Sequence, residues 1–200
     1  VADKLGIDDR IVVESLIDNI TRIERLLAAT LSFARPIELR PRALTVTAWL
    51  ADAVAQARTL PVVAEMRIEA SGLDAAGGFD GDAQLLGQVA VNLLRNAAEA
   101  SRGRGRIGIA ATADERWVVV EFTDEGPGVP VERRDEIFRP FHSSKDGGTG
   151  IGLAFSRKVV EAHGGSLDLV NRTTPGACFR VRLPRTLSTT SNGIQHHDRK

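Results

Sequence analysis

The chain has 200 residues, 42% of them apolar, and its 26 Lys and Arg balance its 26 Asp and Glu. That length and apolar content suit one ordinary globular domain with a smaller appendage. Zero net charge leaves no surplus for holding a nucleic-acid backbone or an anionic membrane, so neither is expected as a partner of this segment.

Cys178 is the only cysteine, which excludes an internal disulfide framework and a cysteine-based metal site and suits a reducing, cytoplasmic compartment. No apolar run approaches the roughly 20 residues needed to span a bilayer.

From Asp8 to Ala34, apolar residues recur at Val13, Leu16, Ile20, Ile23, Leu27 and Ala34, with Thr30 filling the remaining place. Steps of three and four predict one long helix. Ile17, Leu26 and Leu31 widen the stripe beyond a two-stranded seam, as in a helix of a four-helix bundle. "FARPIELRPRA" then breaks the helix, because Pro36 disfavours helical geometry at Arg35 and Pro41 extends the break. The expected organisation is a helix over 1–35, a linker over 36–43, a main domain over 44–185 and a disordered polar tail over 186–200.

Within the main domain, Ala43–Val46 reads as a short extended piece and 48–58 as a helix. The alternation in "EMRIEA" reads as a strand, and Asp82 caps a helix reaching Ala100. "GRIGIAATADERWVVVEFTDEG" predicts a hairpin turning at Ala113–Arg116, and "GSLDLVNRTTPGACFRVRL" a second one turning at Thr174–Gly176. Helices alternating with antiparallel strands make the class α+β.

Three stretches carry chemistry. In "QVAVNLLRNAAEA", Leu86, Val89, Ala90, Leu93 and Ala97 form a buried face, while Asn92, Asn96 and Glu99 line another. Asparagine is a mediocre helix-interior residue, so two of them one turn apart form either a polar surface or a site. Their amide oxygens could meet a hard cation such as Mg²⁺ if a nucleotide's phosphates supplied the charge. "FTDEGPGVP" places Asp124 at a strand end, with Gly126 and Gly128 allowing a flat ligand close to the backbone; an ordinary turn is the alternative. Gly147, Gly148, Gly150 and Gly152 precede the apolar helix "IGLAFSRKVVEAHGG", whose unpaired N–H groups, with Lys145, suit a phosphate. The loop lacks both the Gly-Lys-Ser/Thr ending of a Walker loop and the context of a dinucleotide fingerprint.

"NLLRNAAEA", "DEGPGVP", "IFRPFHSSK" and "GGTGIGLA" resemble, in order, the N, G1, F and G2 boxes of the ATP-binding domain of sensor histidine kinases. That domain is shared with type II topoisomerases, Hsp90 chaperones and MutL proteins. The resemblance covers roughly 44–184 and implies a two-layer α/β sandwich of the Bergerat type. It implies Asn96 as the main Mg²⁺ ligand with Asn92 assisting, Asp124 as acceptor of the adenine amino group, and Gly126 and Gly128 lining the base pocket. It also implies an ATP lid over 139–149, with Lys145, Thr149, Gly150 and Gly152 near the phosphates.

"FHSSKDGGTGIGLA" and "LSFARP" are most similar to nitrogen-regulation sensor kinases, with Ser143 and Ser144 in place of two threonines. Glu99 stands where many relatives carry a phosphate-touching lysine, so Lys145, with Arg95, is expected to compensate. The long helix resembles the second helix of the dimerisation and phosphotransfer hairpin, yet no His-Glu-x-x-Asn-Pro motif precedes it. The histidines are His142, His163, His196 and His197, none on that helix.

The resemblance therefore implies the ATP-binding part of a protein-histidine kinase, homodimeric in the complete protein. It would pass the γ-phosphate to a histidine absent from this chain and then to a response regulator. A regulatory nucleotide switch or an ATPase of the same superfamily is the alternative. There a glutamate one turn before the Mg²⁺-binding asparagine activates water; here that position is Asn92, a poor base.

Overall fold

The computed structural model describes residues 36–142, 149–171 and 174–186, together with positions 12, 13, 16 and 20. The expected helix over 8–34 lies mostly outside the described residues; Val12, Val13, Leu16 and Ile20 are helical and exposed. The expected tail lies outside them beyond Thr186. Among the described residues no helix is long and apolar enough to cross a membrane.

Strand β1 (Arg42–Thr45) leads directly into helix α1 (Val46–Ala57). The junction is Thr45, whose extended backbone and Oγ1, accepting the Ala48 N–H at 3.2 Å, make it a helix cap. A single turn, α2 (Pro61–Ala64), starts on a proline whose missing N–H costs a helix nothing at its first position. Strand β2 (Arg67–Ser71), a second short turn α3 (Leu73–Ala76) and strand β3 (Gly78–Gly81) follow. Then come the long helix α4 (Ala83–Ala100), strands β4 (Arg106–Ala113) and β5 (Trp117–Thr123), helix α5 (Gly152–Ala162), and strands β6 (Ser166–Leu169) and β7 (Cys178–Pro184).

The main sheet runs β2-β4-β5-β7-β6, and β1 pairs with β3 in a separate antiparallel ribbon. Both expected hairpins form, β4 with β5 and β6 with β7. One expectation needs correcting: β2 lies parallel to β4, so the sheet is mixed. A parallel pair needs a long crossover, and here α3, β3 and α4 supply it. The turns α2 and α3 and the strand β3, each of four residues, were not legible as periodic segments.

Alternation puts one sheet face inside: Ile107 and Ile109 from β4, Val118, Val120 and Phe122 from β5, and Phe179, Val181 and Leu183 from β7 are buried. Against it lies the helical layer, with α4 in the middle between α1 and α5. All five apolar residues expected on the inner face of α4 are buried, joined by Leu94. The result is the expected α+β two-layer sandwich, with the polar face of α4 turned away from the core.

Candidate functional site

The placement of α4 is set at its start. Asp82 Oδ1 accepts the N–H groups of Gln84 and Leu85 at 3.1 and 3.0 Å, while Oδ2 accepts the Arg40 N–H at 2.9 Å. Burial raises the Asp82 pKa, but these three backbone bonds outweigh it and hold the carboxyl below its ordinary value. The Asp82 N–H donates to His163 Nε2 at 2.9 Å. His163 Nδ1, 2.8 Å from the Val159 carbonyl, must then be the protonated nitrogen of a neutral imidazole. His163 is 1% exposed, and burial pushes its pKa down despite that carbonyl and the Asp82 charge. This residue caps α5 and ties it to the start of α4.

On the outward face of α4, Asn92, Arg95, Asn96 and Glu99 line a cavity of about 690 Å³. Asn92 bridges the two helices: its Oδ1 accepts from Arg95 Nη2 at 2.8 Å and its Nδ2 donates to the fully buried Ser156 Oγ at 3.0 Å. A guanidinium only donates, so the amide oxygen must face Arg95. Gly152 makes the approach possible, since a Cβ there would lie 2.5 Å from Asn92 Oδ1. The Asn96 amide, by contrast, meets no hydrogen-bonding partner among the described residues.

The two asparagines are therefore not equivalent. Both residues line the cavity, but the Asn92 oxygen is engaged and the Asn96 oxygen is open. No group of three or more His, Cys, Asp or Glu among the described residues could hold a metal. The donor set fits a hard cation that arrives with anionic oxygens of its own, and does not fit one bound by protein alone.

At the far side of this wall, Asp124 follows β5 and is 3% exposed. Its Oδ1 accepts two backbone N–H groups, from Gly126 at 2.9 Å and Ala177 at 3.0 Å, and its own N–H donates to the Ala177 carbonyl. Only glycine fits at 176: φ is +97° and a Cβ would lie 1.9 Å from the Asp124 carbonyl oxygen. The other carboxylate oxygen has no hydrogen-bonding partner among the described residues, and Asp124 lines the cavity. That oxygen opens onto the cavity, where water or a ligand's donor can complete it. Around it Val129, Ile137, Leu153, Ala177 and Phe179 give an apolar lining suited to a flat ring.

Gly128 lines the cavity, whereas Gly126 does not. Gly126 is buried against Ala100, where a Cβ would lie 3.0 Å from that residue's carbonyl, and its contribution is the N–H that fixes Asp124. Thr149, Gly150 and Gly152 line the cavity too, with Gly152 beside Asn92 at the start of α5, whose first N–H groups and dipole favour an anion. Gly150 has φ +67° and its carbonyl accepts the Phe141 N–H at 3.1 Å. Lys145 lies outside the described residues.

The sequence reading did not include Arg133, Glu136, Ile137 or Phe179, which also line the cavity. The first two arrive on and after a short 3₁₀ turn, Val131–Arg133. Phe179 looks in from β7, where strand alternation marked it only as core. Its ring meets Phe138 edge-on at 6.2 Å, and Arg157 stacks 3.6 Å over Phe138, so Phe179 is backed by a second ring.

Sensor protein kinase PilS of Pseudomonas aeruginosa is 29% identical over 194 residues, covering 94% of this chain and 36% of that protein. Sensory histidine kinase/phosphatase NtrB of Rhodobacter capsulatus is 37% identical over 118 residues, covering 52% of this chain and 33% of that one. The chain thus spans about a third of the length of these relatives. Among solved structures, a mycobacterial sensor histidine kinase, MprB, superposes with a TM-score of 0.63 at 27% identity, over 74% of this chain and 99% of its own. Residues 81–187, which carry every wall of the cavity, match the family described as histidine kinase-, DNA gyrase B- and HSP90-like ATPases, and the chain belongs to that family.

Proposed function

We propose that the cavity binds Mg·ATP and that the chain is the ATP-binding part of a sensor histidine kinase. The observation that carries the reading is the half-satisfied carboxylate of Asp124, held by two backbone N–H groups and presented to a cavity of mixed polar and apolar lining that also bears an open Asn96 amide. A carboxylate oxygen so placed accepts the exocyclic amino group of adenine. Val129, Ile137, Leu153 and Phe179 enclose the ring, and Gly128 lets the backbone run alongside it.

Thr149, Gly150, Gly152 and the N-terminus of α5 receive the phosphates, joined by Lys145. Asn96 would give Mg²⁺ a neutral oxygen, and Asn92 could give a second. Mg²⁺, when bound, neutralises charge on the β- and γ-phosphates and so favours transfer. The chain's own contribution is positioning: Asp124 would hold the base and Asn96, on α4, would hold the metal-bearing phosphates.

In this reading 44–185 is the ATP-binding domain, 36–43 a linker, 186–200 a tail, and 1–35 the second helix of a dimerisation hairpin. The acceptor is a histidine on the partner helix of that hairpin, and a response regulator's aspartate takes the phosphoryl group next. The protein acts in the cytoplasm as a homodimer. The test is selectivity followed by transfer. Calorimetry should show Mg·ATP bound and Mg·GTP, with a carbonyl where adenine has its amino group, bound at least tenfold more weakly. A helical hairpin carrying the acceptor histidine, added to the chain, should become labelled from γ-labelled ATP. Equal binding of both nucleotides would refute the base assignment, and an unlabelled hairpin the kinase assignment.

A further inference from the structure

The charged residues on the phosphate-side wall are paired in an unusual way. Arg95 reaches Asn92 one turn back, bonding its Oδ1 at 2.8 Å, and Glu99 one turn on, at 3.8 Å. Asn92 is braced from behind by Ser156 of α5, so the series Ser156–Asn92–Arg95–Glu99 leads from the core to the cavity wall. The guanidinium thus occupies an amide oxygen that would otherwise be offered to a metal ion, and it does so with a positive charge of its own. Near it the cavity carries a carboxylate, Glu99, which opposes a triphosphate unless something neutralises it.

We infer that Arg95 is a placeholder cation that exchanges partners when nucleotide binds. Without nucleotide it holds the Asn92 oxygen and offsets Glu99. With Mg·ATP it turns to the phosphates and leaves the Asn92 oxygen to the metal. The exchange conserves interactions: Arg95 gives up one neutral acceptor for an anionic one, a stronger partner for a guanidinium. It also couples metal capture to phosphate, since a phosphate is a stronger acceptor for Arg95 than the Asn92 amide. The side chain of Arg95 is half exposed and needs only a rotamer change, whereas Asn92 stays fixed between Ser156 and Gly152.

This inference rests on the Mg·ATP reading, and the experiment separates the two. The 200-residue chain and its Arg95→Met, Arg95→Lys and Glu99→Gln variants are titrated with adenosine and with Mg·ATP, and the Asn92 side-chain amide is followed by NMR. The expected result is that Arg95→Met weakens Mg·ATP by about ten- to a hundredfold, the scale of a bond to a charged group, and leaves adenosine unchanged. Arg95→Lys should recover part of that loss, and Glu99→Gln should bind Mg·ATP more tightly than the parent. The Asn92 amide signal should move with Mg·ATP and with Arg95→Met, and stay still with adenosine. Mg·ATP binding within twofold of the parent in Arg95→Met, an equal loss for adenosine, or an Asn92 signal indifferent to Mg·ATP would overturn the exchange while leaving the site reading intact. A parent chain that binds neither ligand would overturn both.

Discussion

Replacing Asp124 by Asn tests the base assignment with almost no change of shape. In the parent, Oδ1 is taken by the N–H groups of Gly126 and Ala177, so the side chain cannot choose its orientation freely. An asparagine there must keep its carbonyl oxygen on those two donors. The reverse orientation would point an NH₂ at two N–H groups and leave both unsatisfied, at about 1–3 kcal/mol each. The amide nitrogen therefore faces the cavity, where it presents a donor to the adenine amino group, itself a donor. The loss is that of a hydrogen bond to a charged acceptor, about 1.5–3 kcal/mol, or roughly ten- to 150-fold in Kd. Fold stability should fall by much less, because the two backbone bonds persist with a neutral acceptor. Calorimetry on parent and variant should be run with ATP and with purine riboside triphosphate, which lacks the amino group. The variant should lose affinity for ATP alone. If both nucleotides weaken equally, the carboxylate supports the cavity wall rather than the base, and the reasoning fails.

Two further predictions concern how the site is held. Gly152→Ala places a methyl 2.5 Å from Asn92 Oδ1, which is clamped between Ser156 and Arg95. It should cost about 1–3 kcal/mol in urea unfolding and weaken Mg·ATP more than adenosine; a neutral substitution would mean that the helices part easily. His163 resists protonation in the fold, its pKa lying below the 6.5 of the free side chain. Its contribution to stability is therefore complete above pH 6.5 and is lost as pH falls through the depressed value, at no more than about 1.4 kcal/mol per pH unit for one proton. Urea midpoints between pH 8 and 5 should fall accordingly, and His163→Gln, which can still accept the Asp82 N–H, should flatten the profile.

The local signals were strong where one residue type has one job. The inner stripe of α4, the Asp82 cap, the alternation of β4, β5 and β7, and the four ordered boxes were legible because helix and strand periods and turn chemistry act over a few residues. They sufficed for the fold class and for singling out Asn92, Asn96 and Asp124, which line one cavity. What they could not decide is how separate segments meet. The parallel pairing of β2 with β4 and the β1–β3 ribbon join strands across long stretches of chain, and no local pattern encodes the partner. The same holds for the roles of equivalent-looking residues. Asn92 and Asn96 share a spacing and a helix face, yet Ser156, 64 residues on, and Arg95 engage one and leave the other open. Gly126 and Gly128 share a motif, but Ala100 covers one and the cavity takes the other. A motif names residue types at a spacing; which of their polar atoms remain unpaired, and so available to a ligand, depends on neighbours that only the tertiary fold brings within hydrogen-bonding distance.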